Sequence, residues 1–193
     1  MKSAYLVLDM QNEIVHEEGP YAKGPIGAEV RGRGVLANTR RAIDKARHAG
    51  VLVIFVRVGF SADYKECPAG SPMFAPARDK KLFLLGSWGT EIHAALGRQE
   101  NEAIITKHRV SPFFSTGLEA LLRAQGVERI FVSGVSTTAV VQAAVREAHD
   151  RDYACSVIED GCAAASAEEH RQSIDMLARF GSVTTSDRVV FAG

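Results

Sequence analysis

The sequence lacks an excess of either charge, since 23 lysine and arginine residues balance 23 aspartate and glutamate residues among its 193 residues. A chain without a basic excess has no electrostatic basis for binding nucleic acid or an anionic membrane surface. It also lacks an apolar run of the roughly 18–20 residues that a membrane span needs. Its first residues do not show the basic and apolar regions of a secretory signal. We therefore expect a cytoplasmic protein that binds neither nucleic acid nor membrane.

Cysteine and histidine are scarce as well. The three cysteines are Cys67, Cys155 and Cys162, and their odd number and wide spacing argue against a disulfide framework. The six histidines show no ligand-like spacing, and residues 59–89 contain none. The chain carries no glycine-rich phosphate loop and no dinucleotide fingerprint. We expect neither a bound metal ion nor a cofactor.

Apolar, strand-like segments alternate with helical patterns from one end of the chain to the other. The predicted strands are residues 4–9, 51–58, 103–107, 129–133 and 153–159, with a short sixth at 182–185. The predicted helices are residues 29–48, a helix that begins at Ser115 or Thr116 and stops at Gly126, 137–151 and 167–180. Near-continuous apolar strands separated by helices indicate a parallel sheet covered on both faces. With right-handed crossovers, this is a three-layer, doubly wound, Rossmann-like α/β fold, and one domain over residues 1–193 suffices.

Residues 59–89 interrupt this alternation. The segment is rich in proline and glycine but also holds several aromatic residues. Disorder is the alternative, but aromatic side chains are depleted in disordered segments. We expect a functional loop or a contact between subunits.

Polar residues stand at the carboxyl ends of the predicted strands, where ligands bind in doubly wound sheets. Asp9 could act as a general acid or base, or could simply bond loop N–H groups. Lys107 could hold the Asp9 carboxylate ionised, or could reach out to solvent. The sharp turn at residues 134–137 could direct helix N-terminal N–H groups at an oxyanion, or could be an ordinary helix cap.

Three blocks of the sequence resemble the isochorismatase-like cysteine hydrolase family. They are DMQN at residues 9–12, KHRVSPFFSTGL at residues 107–118 and GVSTTAV at residues 134–140. The resemblance implies the isochorismatase-like fold, a catalytic pair of Asp9 and Lys107, and a homo-oligomer, either a dimer or a tetramer. It also implies a turn of Val135, Ser136 and Val140 that supplies oxyanion donors, with a cis peptide bond between the first two.

Val140 stands where the family usually carries its cysteine nucleophile, and a valine side chain cannot attack a substrate. Isochorismatases also lack that cysteine, and they use the aspartate to assist hydrolysis of a vinyl ether by water. The resemblance therefore implies a small-molecule hydrolase that cleaves a vinyl ether or a C–N bond of an amide or carbamoyl group with an Asp–Lys pair. The alternative is a catalytically inactive family member that binds a small ligand or acts as an interaction subunit.

Six further residues are candidates for substrate binding: Gln11, Arg57, Phe60, Trp88, Arg109 and Phe113. Gln11 belongs to the first block, and the run of residues 57–60 resembles a cysteine-less subgroup of the family. The aromatic residues could wall an apolar pocket, with core or subunit packing as the alternative. The arginines could bind a carboxylate, with surface salt bridges as the alternative. We expect Cys67 and Cys162 to be packed or exposed thiols rather than replacement nucleophiles.

Overall fold

Six parallel strands form one sheet in the computed structural model of the chain, which describes residues 1–191. In chain order they are β1 (Ser3–Leu8), β2 (Leu52–Val58), β3 (Ala103–Lys107), β4 (Arg129–Val135), β5 (Ala154–Ala163) and β6 (Ser182–Thr184). The spatial order is β3-β2-β1-β4-β5-β6. The chain thus winds outward from β1 and then returns to its other side, so the carboxyl ends of β1 and β4 flank the switch in strand order. The doubly wound α/β prediction is confirmed.

Helices cover both faces of the sheet. They are α1 (Asn12–Val15), α2 (Pro25–Gly32), α3 (Val35–His48), α4 (Ala75–Asp79), α5 (Leu118–Ala124), α6 (Gln142–His149) and α7 (Ala167–Leu177). Alternate side chains of β1 enter two separate cores. Tyr5 and Val7 pack on the side of α1–α4, whereas Leu6 and Leu8 pack on the side of α5–α7. No helix among residues 1–191 is long and apolar enough to cross a membrane. The single-domain prediction also includes residues 192 and 193, which lie outside the described residues.

The predicted helix over residues 29–48 is wrong as one element, because the chain breaks between α2 and α3. Gly34 adopts a φ of 64°, the left-handed conformation that glycine tolerates best. The side chain of Asn38 donates to Arg33 O at 3.1 Å, which satisfies a carbonyl at the break. Apolar residues on both sides of the break face the same core, so their spacing in the sequence continues across it.

The predicted strand over residues 153–159 is longer in the structure, since β5 continues to Ala163. Asp160 makes this possible although it is charged. Its carboxylate accepts hydrogen bonds from the backbone N–H and the hydroxyl of Ser186 at 2.7 and 2.6 Å. The partner lies near the C-terminal end of the described chain, far from Asp160 in sequence, so local pattern does not reveal it.

Two predicted helix starts also differ in detail. α5 begins at Leu118 after Gly117, but the hydroxyl of Thr116 still accepts from the Leu118 N–H at 3.2 Å. The helix predicted from residue 137 begins as a π-helical turn, Thr137–Val141, before it continues as α6. Such π-helical turns occur frequently at functional sites.

Residues 59–89 are largely irregular but packed. The chain there contains α4 and a short 3-10 turn at Trp88–Thr90. Phe60, Tyr64, Phe74 and Phe83 are buried in the core on the side of α1–α4. The rings of Phe60 and Phe74 meet edge to face with centroids 5.9 Å apart. The aromatic residues therefore anchor this segment over the carboxyl end of the sheet.

Candidate active site

Asp9 and Lys107 form a buried ion pair across the carboxyl ends of the strands. Asp9 follows β1 directly, and its N–H donates to Val56 O of β2 at 2.9 Å. Lys107 ends β3 on the far side of β2. Lys107 Nζ lies 2.9 Å from Asp9 Oδ2, with side-chain exposures of 2% and 7%. Lys107 Nζ also donates to Arg109 O at 3.0 Å. The two residues that the sequence suggested as a catalytic pair are thus in direct contact.

Asp9 keeps one carboxylate oxygen unused. Oδ1 is buried and has no hydrogen-bond partner among the described residues. Burial raises the pKa of Asp9 above its ordinary value, and the charge of Lys107 acts in the opposite direction. The residue also has a φ of 55°, which is uncommon outside glycine and is met at functional sites. Asp9 therefore has a free acceptor atom and a perturbed pKa, as a general acid or base requires.

A tight turn after β4 forms the other side of the site. The Val135–Ser136 peptide bond is cis, and Ser136 precedes the π-helical turn. Gly134 lets β4 approach β1 closely, because a Cβ atom there would lie 2.5 Å from Leu8 O. The N–H groups of Ala139 and Val141 both bond to Ser136 O at 3.3 Å. The turn therefore packs against the end of β1, and its Ser136 lines the same cavity as Asp9.

The Asp–Lys pair and this turn line a single cavity of about 140 Å³. The polar side chains in its lining belong to Asp9, Lys107, Ser136 and Tyr21. The apolar walls include Ile14, Ile26, Val58, Phe74, Phe83 and Val110. Tyr21 and Met73 reach the cavity from loops and are partly exposed, at 36% and 53%. The arrangement is a partly open, mostly apolar pocket with an Asp–Lys pair at its inner end, which is typical of small-molecule sites.

Val140 faces this cavity and is itself almost fully buried. None of the three cysteines lines the cavity. Cys67 Sγ donates to Phe74 O at 3.3 Å inside the packed loop. Burial raises the pKa of Cys155 to about 11 and that of Cys162 to about 12. Thiols with such pKa values are not nucleophilic near neutral pH.

Gln11 and Phe60, two of the suggested substrate-binding residues, lie beside the cavity but do not line it. The Gln11 side chain accepts from Val58 N at 2.8 Å and donates to Val58 O at 3.0 Å, so it fastens the chain after β1 to β2. Phe60 is fully buried, and its N–H donates to Phe83 O at 2.7 Å. Both residues thus bond to segments that contribute Val58 and Phe83 to the cavity wall.

The other four suggested residues point elsewhere. Arg57 donates to Thr106 Oγ1 and Thr90 O and lines a separate cleft. Arg109 Nη1 donates to the carbonyls of Glu66 and His108. Trp88 is partly exposed, and its ring meets the His16 ring edge-on. Phe113 stacks on Tyr153 in the core beside α5–α7. None of these four residues lines the cavity that contains Asp9.

Sequence reasoning missed most of the cavity wall and one polar network beneath the turn. The hydroxyl of Thr137 contacts His170 Nδ1 at 2.9 Å, and His170 Nε2 lies 2.9 Å from Arg33 Nη2 and 3.2 Å from Glu159 Oε2. A guanidinium can only donate and a carboxylate can only accept, so Nε2 cannot serve both partners, and Arg33 Nη2 donates directly to Glu159 Oε2 at 2.9 Å. Burial lowers the pKa of His170, which favours its neutral form. The sequence does not indicate this network, because its four residues lie far apart along the chain and meet only in the folded structure.

No group of three or more potential metal ligands was found among residues 1–191.

The chain is similar to known proteins over nearly its whole length. Residues 3–188 match the family model of the isochorismatase domain. The isochorismatase family protein YecD of Escherichia coli O157:H7 is 35% identical over 173 residues, covering 90% of this chain and 86% of that protein. Ureidoacrylate amidohydrolase RutB of Variovorax paradoxus (strain S110) is 30% identical over 203 residues, covering 97% and 80%. An isochorismatase family protein from Desulfovibrio vulgaris subsp. vulgaris str. Hildenborough has a TM-score of 0.86 at 25% identity, covering 96% of this chain and 95% of that one.

Proposed function

The chain belongs to the isochorismatase family of hydrolases, and we propose that it hydrolyses a C–N bond in a small amide or carbamoyl compound without a protein nucleophile. The observation that carries this proposal is the buried Asp9–Lys107 pair, which lines a mostly apolar cavity and keeps one carboxylate oxygen free. The similarity to a ureidoacrylate amidohydrolase supports a C–N bond over a vinyl ether. Val140 supports water as the nucleophile, because the position offers no reactive atom.

Asp9 is the proposed acid and base. Its Oδ1 takes a proton from water as the water oxygen bonds to the carbonyl carbon. The carbonyl oxygen becomes an oxyanion, which the N–H groups near Ser136 and Val140 stabilise. Asp9 then returns the proton to the leaving nitrogen as the C–N bond breaks, so the products are an acid and ammonia or an amine. Lys107 stabilises the carboxylate form, while burial raises the pKa of Asp9 toward the range in which a carboxyl exchanges protons efficiently.

A hydrolysis screen combined with thiol alkylation tests the proposal. The panel holds simple amides, ureido and carbamoyl compounds and the vinyl ether isochorismate. We expect turnover of an amide or carbamoyl member, unchanged after treatment with iodoacetamide, because Cys67, Cys155 and Cys162 are all buried. Mass spectrometry reports which thiols react. Turnover that alkylation abolishes would show that a cysteine takes part, and turnover of the vinyl ether alone would contradict the proposed bond.

The second candidate function is ligand binding without catalysis. It is favoured by the Val140 side chain, which occupies the nucleophile position with an inert branched group. Val140→Cys distinguishes the two functions, because it places a thiol beside Asp9 with little change in volume. If the wild type binds amides without hydrolysing them, we expect this variant to gain amidase activity that iodoacetamide abolishes.

Val141→Cys is the matched control for that experiment. Val141 is the next residue along the chain and equally buried, but it packs in the core beside α5–α7 and does not line the cavity. Activity in both variants would mean that the new thiol does not act from the nucleophile position.

A cytoplasmic location and a dimer or tetramer belong to the same proposal, and sedimentation at micromolar concentration measures the assembly size.

A further inference from the structure

The cavity offers no cation to a negatively charged ligand. Its charged lining residues within the described chain are Asp9 and Lys107, and they neutralise each other at 2.9 Å. The Lys107 ammonium is further committed to Arg109 O at 3.0 Å. The atom left over is Asp9 Oδ1, which accepts hydrogen bonds and is negatively charged when Asp9 is ionised. An anionic ligand would therefore meet a like charge at the Asp9 end of the cavity.

The arginines nearest to this end of the sheet do not compensate. Arg57 lines a different cleft, where it donates to Thr106 and Thr90. Arg109 sends its guanidinium to Glu66 O and His108 O. Arg78 donates to Tyr64 O at 2.9 Å within the loop of residues 59–89. Each guanidinium is thus held by backbone carbonyls or a threonine hydroxyl outside the cavity.

The apolar walls of the cavity also favour an uncharged ligand over an anionic one. Branched and aromatic side chains, such as Val58, Val110 and Phe83, surround the space between Asp9 and the entrance. Placing a charged group against such walls is costly unless an opposite charge or several hydrogen bonds accompany it. An uncharged group with an N–H donor instead satisfies Asp9 Oδ1 and leaves the walls in contact with apolar atoms. A carboxylate, an ester and a vinyl ether lack this donor.

We propose that the substrate is an uncharged, compact and mostly apolar compound with one polar end, a primary amide or carbamoyl group directed at Asp9 Oδ1. This inference rests on the proposed function for the identity of the scissile bond. It goes further in excluding substrates that carry a carboxylate, and in assigning the selection to Asp9 and the apolar walls. The preference for a neutral ligand is a property of binding and is measured without turnover.

Matched pairs of ligands with the same carbon skeleton test the proposal. 2-Methylpropanamide and 2-methylpropanoate, and likewise benzamide and benzoate, differ in charge but hardly in shape. We expect the amide of each pair to bind at least tenfold more tightly at pH 7.5, measured by calorimetry on the wild-type protein. Equal or tighter binding of the carboxylates, or no binding of either amide, would overturn the inference. Amides that bind but are not hydrolysed would support the inference and count against the proposed hydrolysis.

A charge added at the entrance provides a second measurement. Met73 lines the entrance and is 53% exposed, so Met73→Arg places a cation there without burying it. We expect this variant to bind 2-methylpropanoate several-fold more tightly than the wild type does. Met176→Arg is the control, since Met176 is similarly exposed on α7 and does not line the cavity. An equal gain in both variants would show that net charge, rather than the cavity, sets the preference.

Discussion

Replacing Asp9 with asparagine is expected to lower kcat by about 10²–10⁴-fold on whichever amide the wild type hydrolyses, the range lost when a general base is removed. The amide oxygen of asparagine can still accept a hydrogen bond from Lys107, but it cannot take a proton from water. The change preserves the shape of the side chain, which is almost fully buried. Steady-state rates and thermal unfolding of the same preparations measure the loss and check the fold.

Asp175→Asn is the control for that variant, because Asp175 is exposed on α7 and pairs only with Arg171 in the described chain. Its rate is expected to equal that of the wild type. Asp9→Asn with a wild-type rate would refute the role of Asp9 as base. A loss in which the variant no longer unfolds cooperatively would instead report damage to the fold.

The pH dependence of the wild type follows from the same carboxyl. Because burial raises the pKa of Asp9 above 3.8, kcat/KM is expected to rise with pH through the folded-state pKa, as the base loses its proton. The free energy of unfolding changes in the opposite direction. The folded state binds the Asp9 proton more tightly than the unfolded chain does, so this proton contributes its full stabilisation below pH 3.8, the ordinary pKa of the group. The stabilisation is lost as pH rises through the folded-state pKa. Asp9→Asn removes both effects.

The fold and the placing of Asp9 and Lys107 at one edge of the sheet could be predicted, because they depend on local pattern and on one geometric rule. Buried parallel strands read as short apolar runs, and their carboxyl ends meet at one edge of the sheet. Asp9 and Lys107 each end such a run, so the sequence places both at this edge, whereas the strand order and the ion pair between them come from the structure. Gly134 stands at the same edge for a comparable reason, since its missing side chain allows β4 to approach Leu8.

The cavity wall could not be predicted in the same way. Arg57 and Arg109 have the right chemistry for binding a carboxylate, but their directions depend on acceptors in distant segments, such as Thr90 and Glu66. Met73 and Tyr21 line the cavity because irregular segments fold over it, and such segments carry no periodicity. The positions of Val58 and Val110 are easier to infer from the sequence, because both residues lie at or just after the carboxyl end of a predicted strand.

Replacing Lys107 with methionine is expected to destabilise the protein by about 3–5 kcal/mol at neutral pH, the range for removing one partner of a buried ion pair. Methionine fills a similar volume, so packing changes little. Asp9 Oδ2 and Arg109 O, however, lose the ammonium that donates to both. Urea unfolding at pH 7.5 measures the change in the free energy of unfolding. Lys65→Met is the control, because Lys65 also pairs with an aspartate but is exposed, and its effect should be far smaller.

The cause of this destabilisation can be separated from packing by pH and by a second substitution. In Lys107→Met, Asp9 loses the charge that lowers its pKa, so the folded variant holds its proton to a higher pH than the wild type does. The variant should therefore lose stability, relative to the wild type, as pH rises above the folded-state pKa of Asp9 in the wild type, and the difference between the two should shrink toward acid pH. Adding Asp9→Asn to Lys107→Met removes the unpaired carboxyl, and we expect part of the stability to return at pH 7.5. A loss that is the same at all pH values and is not relieved in the double variant would mean that Lys107 stabilises the fold by packing alone, and the electrostatic role assigned to it in the site would then be wrong.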